Sequence, residues 1–543
     1  MPNWFERELF AGLAKVVEDD SWLSDEANKL AINTAVNSTR NRPHPWSTFA
    51  DADYPNWRGL SDRTFLARHL PPSYPDPANP LPDPAKVAAL FARPAAGGTK
   101  SNKSTCLFPA FAQYLTDGFI RTNPTNPRKN TSNHEIDMCP LYGRTPKQTD
   151  ALRLPAAAGG PKGRLKSQMI GDEEYPPFLY NPDGSLTDPA FNVLDPPLFA
   201  FNQPIKKPTD PPPPPPATMG GKPFAPARYT SLFAVGGDRV NSSPFTAMMN
   251  TLWLREHNRV AKELEQRNPG FDDERVFQTA RNIIIPMFIK IVVEDYINHI
   301  TPIPFKIKAD PSVVWDATWN RPNWMTAEFS LLYRWHALMP DQIEWTGGAI
   351  PLGDFTLDNR ALLAVGLDGA ITLAASQATN QLGAMNTSAA LLPIEGLSIS
   401  QARTNNLAPY NAYRVAFGMA PATAFDQISS SQEIQDKLRG IYDTPDRVEF
   451  YPGLFAEDRV PDSPLPQLLM TMVAVDAFSQ ALTNPLLSQH VWKDNPTLTF
   501  TDWGFNEIGN TSSLSDVLIR QGRPGGSPPV TMTLPGWSYT RTP

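Results

Sequence analysis

After residue 230 the apolar positions recur with a helical period, whereas before it no steady period is kept. Ser243 followed by Pro244 reads as an N-cap with proline at the first helical position. From there FTAMMNTLWLREHNRVAKELEQ continues at helical spacing to the stop Asn268-Pro269-Gly270. A second helix is predicted from near Asp273 through VFQTARNIIIPMFIKIVVEDYINHI, kinked at Pro286, whose ring removes one backbone hydrogen bond. A third covers roughly Ala327 to Leu338, and residues 408 to 418 and 462 to 490 carry further helical patterns. No sustained period-2 alternation occurs, so the fold is predicted to be mainly α.

Ahead of residue 230 proline concentrates, and segments such as Pro71 to Pro84 and Pro211 to Pro216 must be extended. The N-terminal third is therefore expected to be loop-rich, with PIKKPTDPPPPPPATMGGKPF (204 to 224) an exposed insertion. The first 45 residues hold two amphipathic candidates. One carries Trp4, Phe5, Leu9, Leu13 and Val16, the other Trp22, Leu23, Ala27, Leu30 and Ile32. Each either lies on a lipid surface or packs on the core; neither polar face is rich in Lys or Arg, which favours packing.

Composition narrows the function. By length alone, 543 residues with 41% apolar content suggest more than one domain. The net charge of -7 and the lack of a basic run exclude nucleic acid as a partner. The only cysteines, Cys106 and Cys139, allow at most one disulfide and no Cys/His metal cluster, which fits a reducing compartment. The start MPNWFERELFAGLAKVVEDD is acidic where a signal peptide is basic. The apolar stretch Ile283 to Val293 is broken by Pro286 and Lys290 and is too short to cross a bilayer. A cytoplasmic protein is expected, with any membrane contact at the surface.

None of the seven histidines is singled out by composition. The segment EFSLLYRWHALMPDQIEW (328 to 345) does single one out. It resembles the proximal helix of the prostaglandin H synthases and fatty-acid dioxygenases, where Tyr-x-Trp-His is followed by Leu, Pro and Asp. TLWLREHNRV (251 to 260), RVFQTARNIIIPMFIKIVVEDYINHI (275 to 300), PYNAYRVAFGM (409 to 419) and VEFYPGLFAED (448 to 458) resemble cyclooxygenase segments in the same order. FAVGG (233 to 237), DMCPLYGRTPKQTDALRL (137 to 154) and TNPLLSQHVW (483 to 492) extend the match to roughly residues 46 to 520. The chain is thus identified as a member of the animal haem peroxidase superfamily, in its cyclooxygenase and fatty-acid dioxygenase branch, of bacterial type. The resemblance implies one large helical catalytic domain over 46 to 520, with residues 521 to 543 as a tail.

It also implies non-covalent haem b, with a neutral His336 imidazole as the iron ligand and Tyr333, one helical turn earlier, as the radical-forming residue. In the halide-oxidising relatives an arginine stands where Tyr333 does, so dioxygenation is favoured. Trp335 is expected to pack beside the haem. In FAQYLTDGFIRT (111 to 122) Gln113 matches the distal glutamine, but Asp117 replaces the distal histidine. A carboxylate of ordinary pKa is ionised near neutrality and shuttles protons poorly, so weak peroxidase activity is expected; burial would partly restore the function. Gly118 replaces the calcium-binding aspartate and Ser242 the second haem-linking carboxylate, so neither calcium nor a covalent haem link is expected. Arg239 aligns with the distal arginine of the peroxidases, with a surface salt bridge as the alternative. Ser398 stands where an asparagine orients the ligand histidine, and the partner that replaces it is not named by the sequence. His257 is expected to be structural.

Ala477 occupies the place of the serine that aspirin acetylates, followed by Phe478. Ile297 falls in the channel wall and Ile303 replaces the tyrosine at the channel mouth, giving an apolar channel suited to an acyl chain. Arg40, with Arg42 competing, is the candidate for a fatty-acid carboxylate. Fatty acid and molecular oxygen are the expected substrates. The competing readings are a peroxidase of small phenols and a haem-binding protein with degraded chemistry.

Overall fold

The structure is a computed structural model that describes residues 22–36, 54, 56–123, 125–195, 218–219, 222–223 and 230–540. Two long helices organise it. Ser243 is extended (φ -159°, ψ 161°) and turns the chain into a helix that begins at Pro244, where the missing proline N–H costs nothing. That helix runs over Pro244–Arg267 and ends at Asn268, whose N–H reaches the Leu264 carbonyl. Its partner covers Asp273–Ile291 and starts where the Asp272 side chain accepts from the Arg275 N–H. The partner continues through Pro286 into a π-helical turn, Val292–Ile297. The two helices pack along each other, and a third, Pro496–Gly509, covers the second.

In chain order the helices that position the site are α1 (Trp22–Val36), α2 (Leu107–Asp117), α3 (Pro244–Arg267), α4 (Asp273–Ile291), α5 (Phe329–Leu332), α6 (Leu392–Thr404), α7 (Phe450–Ala456) and α8 (Gln467–Leu482). Buried apolar side chains from Ile32 to Met532 form one continuous cluster. The fold is therefore mainly α around a single core, where length alone suggested more than one domain. Between α1 and residue 230, the described residues hold only short helices beside α2, as the proline content requires.

Strands are short and paired two by two. In one pair β1 (Lys100–Thr105) runs antiparallel to β2 (Ala378–Asn380). On the other side of β1, the Thr105 N–H donates to the Met532 carbonyl (2.8 Å) and the Leu534 N–H to the Lys103 carbonyl (2.7 Å). Residues 532–534 thus seal the open edge of β1, immediately before α2. Burial draws the Lys103 ammonium down to about 7, with the Asp462 carboxylate opposing, and the ammonium sits 4.2 Å from the Trp537 ring.

Three expectations need correction or refinement. The helix predicted over Ala327 to Leu338 is broken: only Phe329–Leu332 is α-helical, and Tyr333 (φ -98°, ψ 22°) and Trp335 (φ -92°, ψ 40°) leave that conformation. The Trp335 indole donates to the Leu332 carbonyl (2.6 Å), occupying an acceptor that a continuing helix would use. The stretch Ile283 to Val293 belongs to a helical run, Asp273–Ile300, long and apolar enough to cross a membrane, but mostly buried in the fold. In α1, Ala27, Ile32 and Val36 pack on the core and Asn28 exchanges hydrogen bonds with the Lys308 backbone, while Trp22 is 73% exposed. The amphipathic candidate at residues 4 to 16 and most of the 204 to 224 insertion lie outside the described residues.

One close approach explains the FAVGG segment. A β-carbon at Gly236 would overlap the Gly143 nitrogen and the Cys139 carbonyl, so only glycine lets the loop 233–237 lie against the turn 139–143. Cys139 and Cys106 are both free thiols, buried and unpaired with each other.

Candidate active site

A cleft of about 1410 Å³ of atom-free space, its open mouth included, is lined by Gln113, Arg239, Tyr333, Trp335 and His336. Residues separated by more than two hundred positions in sequence are brought to one place, with Ala110, Ala112, Thr116 and Ser242 as small side chains between them. Asp117 stands directly behind Gln113.

Tyr333 is held in an aromatic cluster. Its ring stacks on Trp335 at 4.9 Å and meets Phe329 edge-on at 5.1 Å, while Trp335 stacks in turn on Phe108 at 5.3 Å. Burial raises the Tyr333 phenol well above its usual pKa; the neighbouring Tyr296 hydroxyl opposes this and the Asp476 carboxylate adds to it. The side chain is therefore a neutral phenol that yields a proton together with any electron it loses.

His336 lies in the 3-10 turn His336–Leu338 that follows the broken helix. Its Nδ1 faces the Glu395 Oε1 at 3.2 Å. Glu395 is 1% exposed and comes from α6. The same Oε1 accepts from the Thr387 hydroxyl (2.8 Å), and Oε2 accepts from the Tyr451 hydroxyl of α7 (2.5 Å). This carboxylate is the partner that the sequence left unnamed. It lies three residues before Ser398 on the same helical face, the one signal available beforehand. The Ser398 hydroxyl instead bonds back to the Ile394 carbonyl (3.0 Å). Nearby, burial pulls the Arg334 guanidinium down to about 9, Arg239 lowers it further, and the acids around it, Glu395 among them, oppose.

On the other side α2 presents Gln113 and Asp117 one turn apart, and the Gln113 amide donates to Asp117 Oδ1 (2.7 Å). Arg239 approaches the same oxygen at 3.5 Å and donates to the Ile120 carbonyl (3.0 Å). It is a cleft residue and not a surface salt bridge. Among the described residues Asp117 Oδ2 has no hydrogen-bond partner. Burial pushes the Asp117 carboxyl up to about 7, with Arg239 opposing and Asp238 adding. The premise of an ordinary carboxyl pKa therefore does not hold.

The remaining candidates divide. Ile297, Ala477 and Phe478 are buried and Ile303 is half-buried, but none of the four lines this cleft. α8, which carries Ala477 and Phe478, packs against the π turn that carries Ile297. Arg40 and Arg42 lie outside the described residues. His257 is structural: its ring nitrogens meet the Tyr142 hydroxyl and the Gly163 carbonyl, both at 3.0 Å, and burial lowers its pKa to about 3.

Helices around one core and a cleft joining His336, Tyr333 and Gln113 define the class. Residues 119–526 match the animal haem peroxidase family, and the chain belongs to it. Prostaglandin G/H synthase 2 of Equus caballus is 29% identical over 520 residues, covering 94% of this chain and 78% of that protein. Prostaglandin G/H synthase 1 of Mus musculus is 30% identical over 492 residues, covering 88% and 74%. Among solved structures, the fatty acid alpha-dioxygenase of Arabidopsis thaliana aligns with a TM-score of 0.65 at 14% identity, covering 95% of this chain and 89% of that one. Peroxidase A of Dictyostelium discoideum aligns with 0.66 at 18%, covering 87% and 95%. The chain is an oxidoreductase of this haem-binding family. Its cleft can admit the cofactor: an imidazole engaged at Nδ1 leaves Nε2 free to ligate iron, and small side chains leave room for a planar ring.

Proposed function

We propose that this chain is a fatty-acid dioxygenase in which His336 holds the iron of a non-covalently bound haem b and Tyr333 is the residue that attacks the substrate. Haem supplies, after reaction with a hydroperoxide, the oxidant that removes one electron from Tyr333. The phenol releases its proton as it loses that electron, and the aromatic stack with Trp335 and Phe329 fixes the position of the resulting radical. The radical then takes a hydrogen atom from an acyl chain, restoring the tyrosine O–H. Oxygen adds to the carbon radical, and the peroxyl product becomes a lipid hydroperoxide by taking a hydrogen atom from the Tyr333 O–H, which regenerates the tyrosyl radical for the next cycle. The observation that carries this reading is Tyr333 itself, a half-buried neutral phenol in the same cleft as His336.

The apolar channel belongs to this reading, with Ile297, Ile303, Ala477 and Phe478 in its wall and Arg40 as the carboxylate partner. Contact with a membrane surface would fall on the exposed Trp22, Leu23 and Leu30 of α1. No calcium is assigned. The test is oxygen uptake by the haem-loaded protein with saturated and unsaturated fatty acids, compared with Tyr333→Phe. Uptake that depends on lipid and disappears in the variant is expected; equal uptake by the variant would end the radical mechanism.

Asp117 favours a second activity at the same site. Near pH 7 its carboxyl exists in both protonation states, as the acceptor and then donor of a peroxide proton must. Peroxidase turnover with small phenols, lost in Asp117→Asn, would establish it.

A further inference from the structure

Glu395 stands where it can set the chemical character of the iron ligand, an inference that rests on the reading of His336 as that ligand. A carboxylate only accepts hydrogen bonds, so a partner at 3.2 Å from Nδ1 places the imidazole proton on Nδ1 and leaves the Nε2 lone pair bare. Both carboxylate oxygens are anchored, Oε1 by Thr387 and Oε2 by Tyr451. The anchors are themselves fixed. Phe91 stacks on the Tyr451 ring at 5.3 Å, and its carbonyl accepts from the Thr387 N–H at 2.9 Å. Glu395 is 1% exposed, so little water screens its charge, and the Arg334 guanidinium supplies a nearby cation.

We infer that Glu395 is a positioning residue that draws the Nδ1 proton of His336 toward itself and makes the imidazole a strongly donating ligand, stabilising ferric over ferrous haem. The charge-assisted bond concentrates electron density on Nε2, and a more negative ligand neutralises the higher metal charge better. Thr387 and Tyr451 draw on the lone pairs of the same carboxylate and so restrain this effect. Removing either one strengthens Glu395 as an acceptor. The sign of the effect thus separates this role from simple support of the fold.

The test uses the haem-loaded full chain and two readouts, the ferric/ferrous midpoint potential and the iron–histidine stretching band in resonance Raman spectra of the ferrous form. Glu395→Gln is expected to move the midpoint positive, lower the stretching frequency and weaken haem affinity by about ten- to a hundredfold. Thr387→Val and Tyr451→Phe are expected to move both spectroscopic readouts the opposite way, by less. Haem-loaded Glu395→Gln with an unmoved midpoint and band overturns the inference. So do Thr387→Val and Tyr451→Phe shifts of the same sign as Glu395→Gln, and these two decide the matter if Glu395→Gln does not load haem. His336→Ala separates the underlying reading: retention of the band shows that His336 is not the ligand. Loss of the band with an unmoved Glu395→Gln rejects the role of Glu395 alone.

Discussion

Two buried carboxylates flank the cleft in opposite conditions. Glu395, beside His336, has both oxygens occupied by donors, whereas Asp117, behind Gln113, has one oxygen with no partner among the described residues and a carboxyl pushed up to about 7 by burial. One is built to stay fixed and accept; the other is left able to exchange a proton. The same functional group thus takes two states because its surroundings differ, and in the proposed reading the first lies on the side of the iron ligand and the second on the side of the peroxide.

The comparison breaks most completely at the ligand. His336→Ala is expected to abolish tight haem binding, read by titration of the Soret band; unchanged affinity would move the ligand elsewhere. Next, Asp117→Asn should reduce the peroxidase rate by about 10²- to 10⁴-fold in stopped-flow with a hydroperoxide, while Asp117→His should recover it. An unaffected rate would make Asp117 a bystander. A smaller effect concerns pH. If ionised Asp117 accepts the peroxide proton, the rate rises through about pH 7, and because Arg239 favours the ionised form, Arg239→Gln moves that limb to higher pH. Movement to lower pH would contradict the assignment.

Stability runs the opposite way with pH. Between the unfolded value of 3.8 and the folded value of about 7, the unfolded chain has lost a proton that the folded chain keeps. The contribution of Asp117 to stability therefore falls as pH rises through that window. Denaturation of Asp117→Asn against wild type should show the variant gaining relative stability across it and no further change above. The mildest change lies outside the cleft. Gly236→Ala forces the loop off the Cys139–Gly143 turn and should cost about 1–3 kcal/mol, seen as a lower melting temperature with haem still bound.

Much of this was legible in the sequence, and the failures share a cause. The Ser243-Pro244 start and the Asn268-Pro269-Gly270 stop are local signals, and the helix between them formed as read. Tyr333, His336, Gln113 and Arg239 could be named from matching motifs and do share a cleft. Glu395 could not, because its bond to His336 spans 59 residues and depends on how α6 packs. The raised pKa of Asp117 stood only as the alternative, because the sequence shows an aspartate and not the burial that raises its pKa. The helix through Tyr333 ended early because a side chain, Trp335, took a backbone acceptor, a tertiary choice that periodicity does not register.

The edge that residues 532–534 give to β1 has a consequence for assembly. β1 leads directly into α2, which carries Gln113 and Asp117, yet the Thr105 hydroxyl is paired with a carbonyl 426 residues later. At about 5–20 residues per second, a ribosome needs roughly 20 to 90 s to travel that distance. Through that interval the strand ahead of α2 keeps an unmade edge. A nascent chain shortened before residue 530 should therefore keep the pairing of β1 with residues 378–380 but leave its other edge, just ahead of α2, without partners.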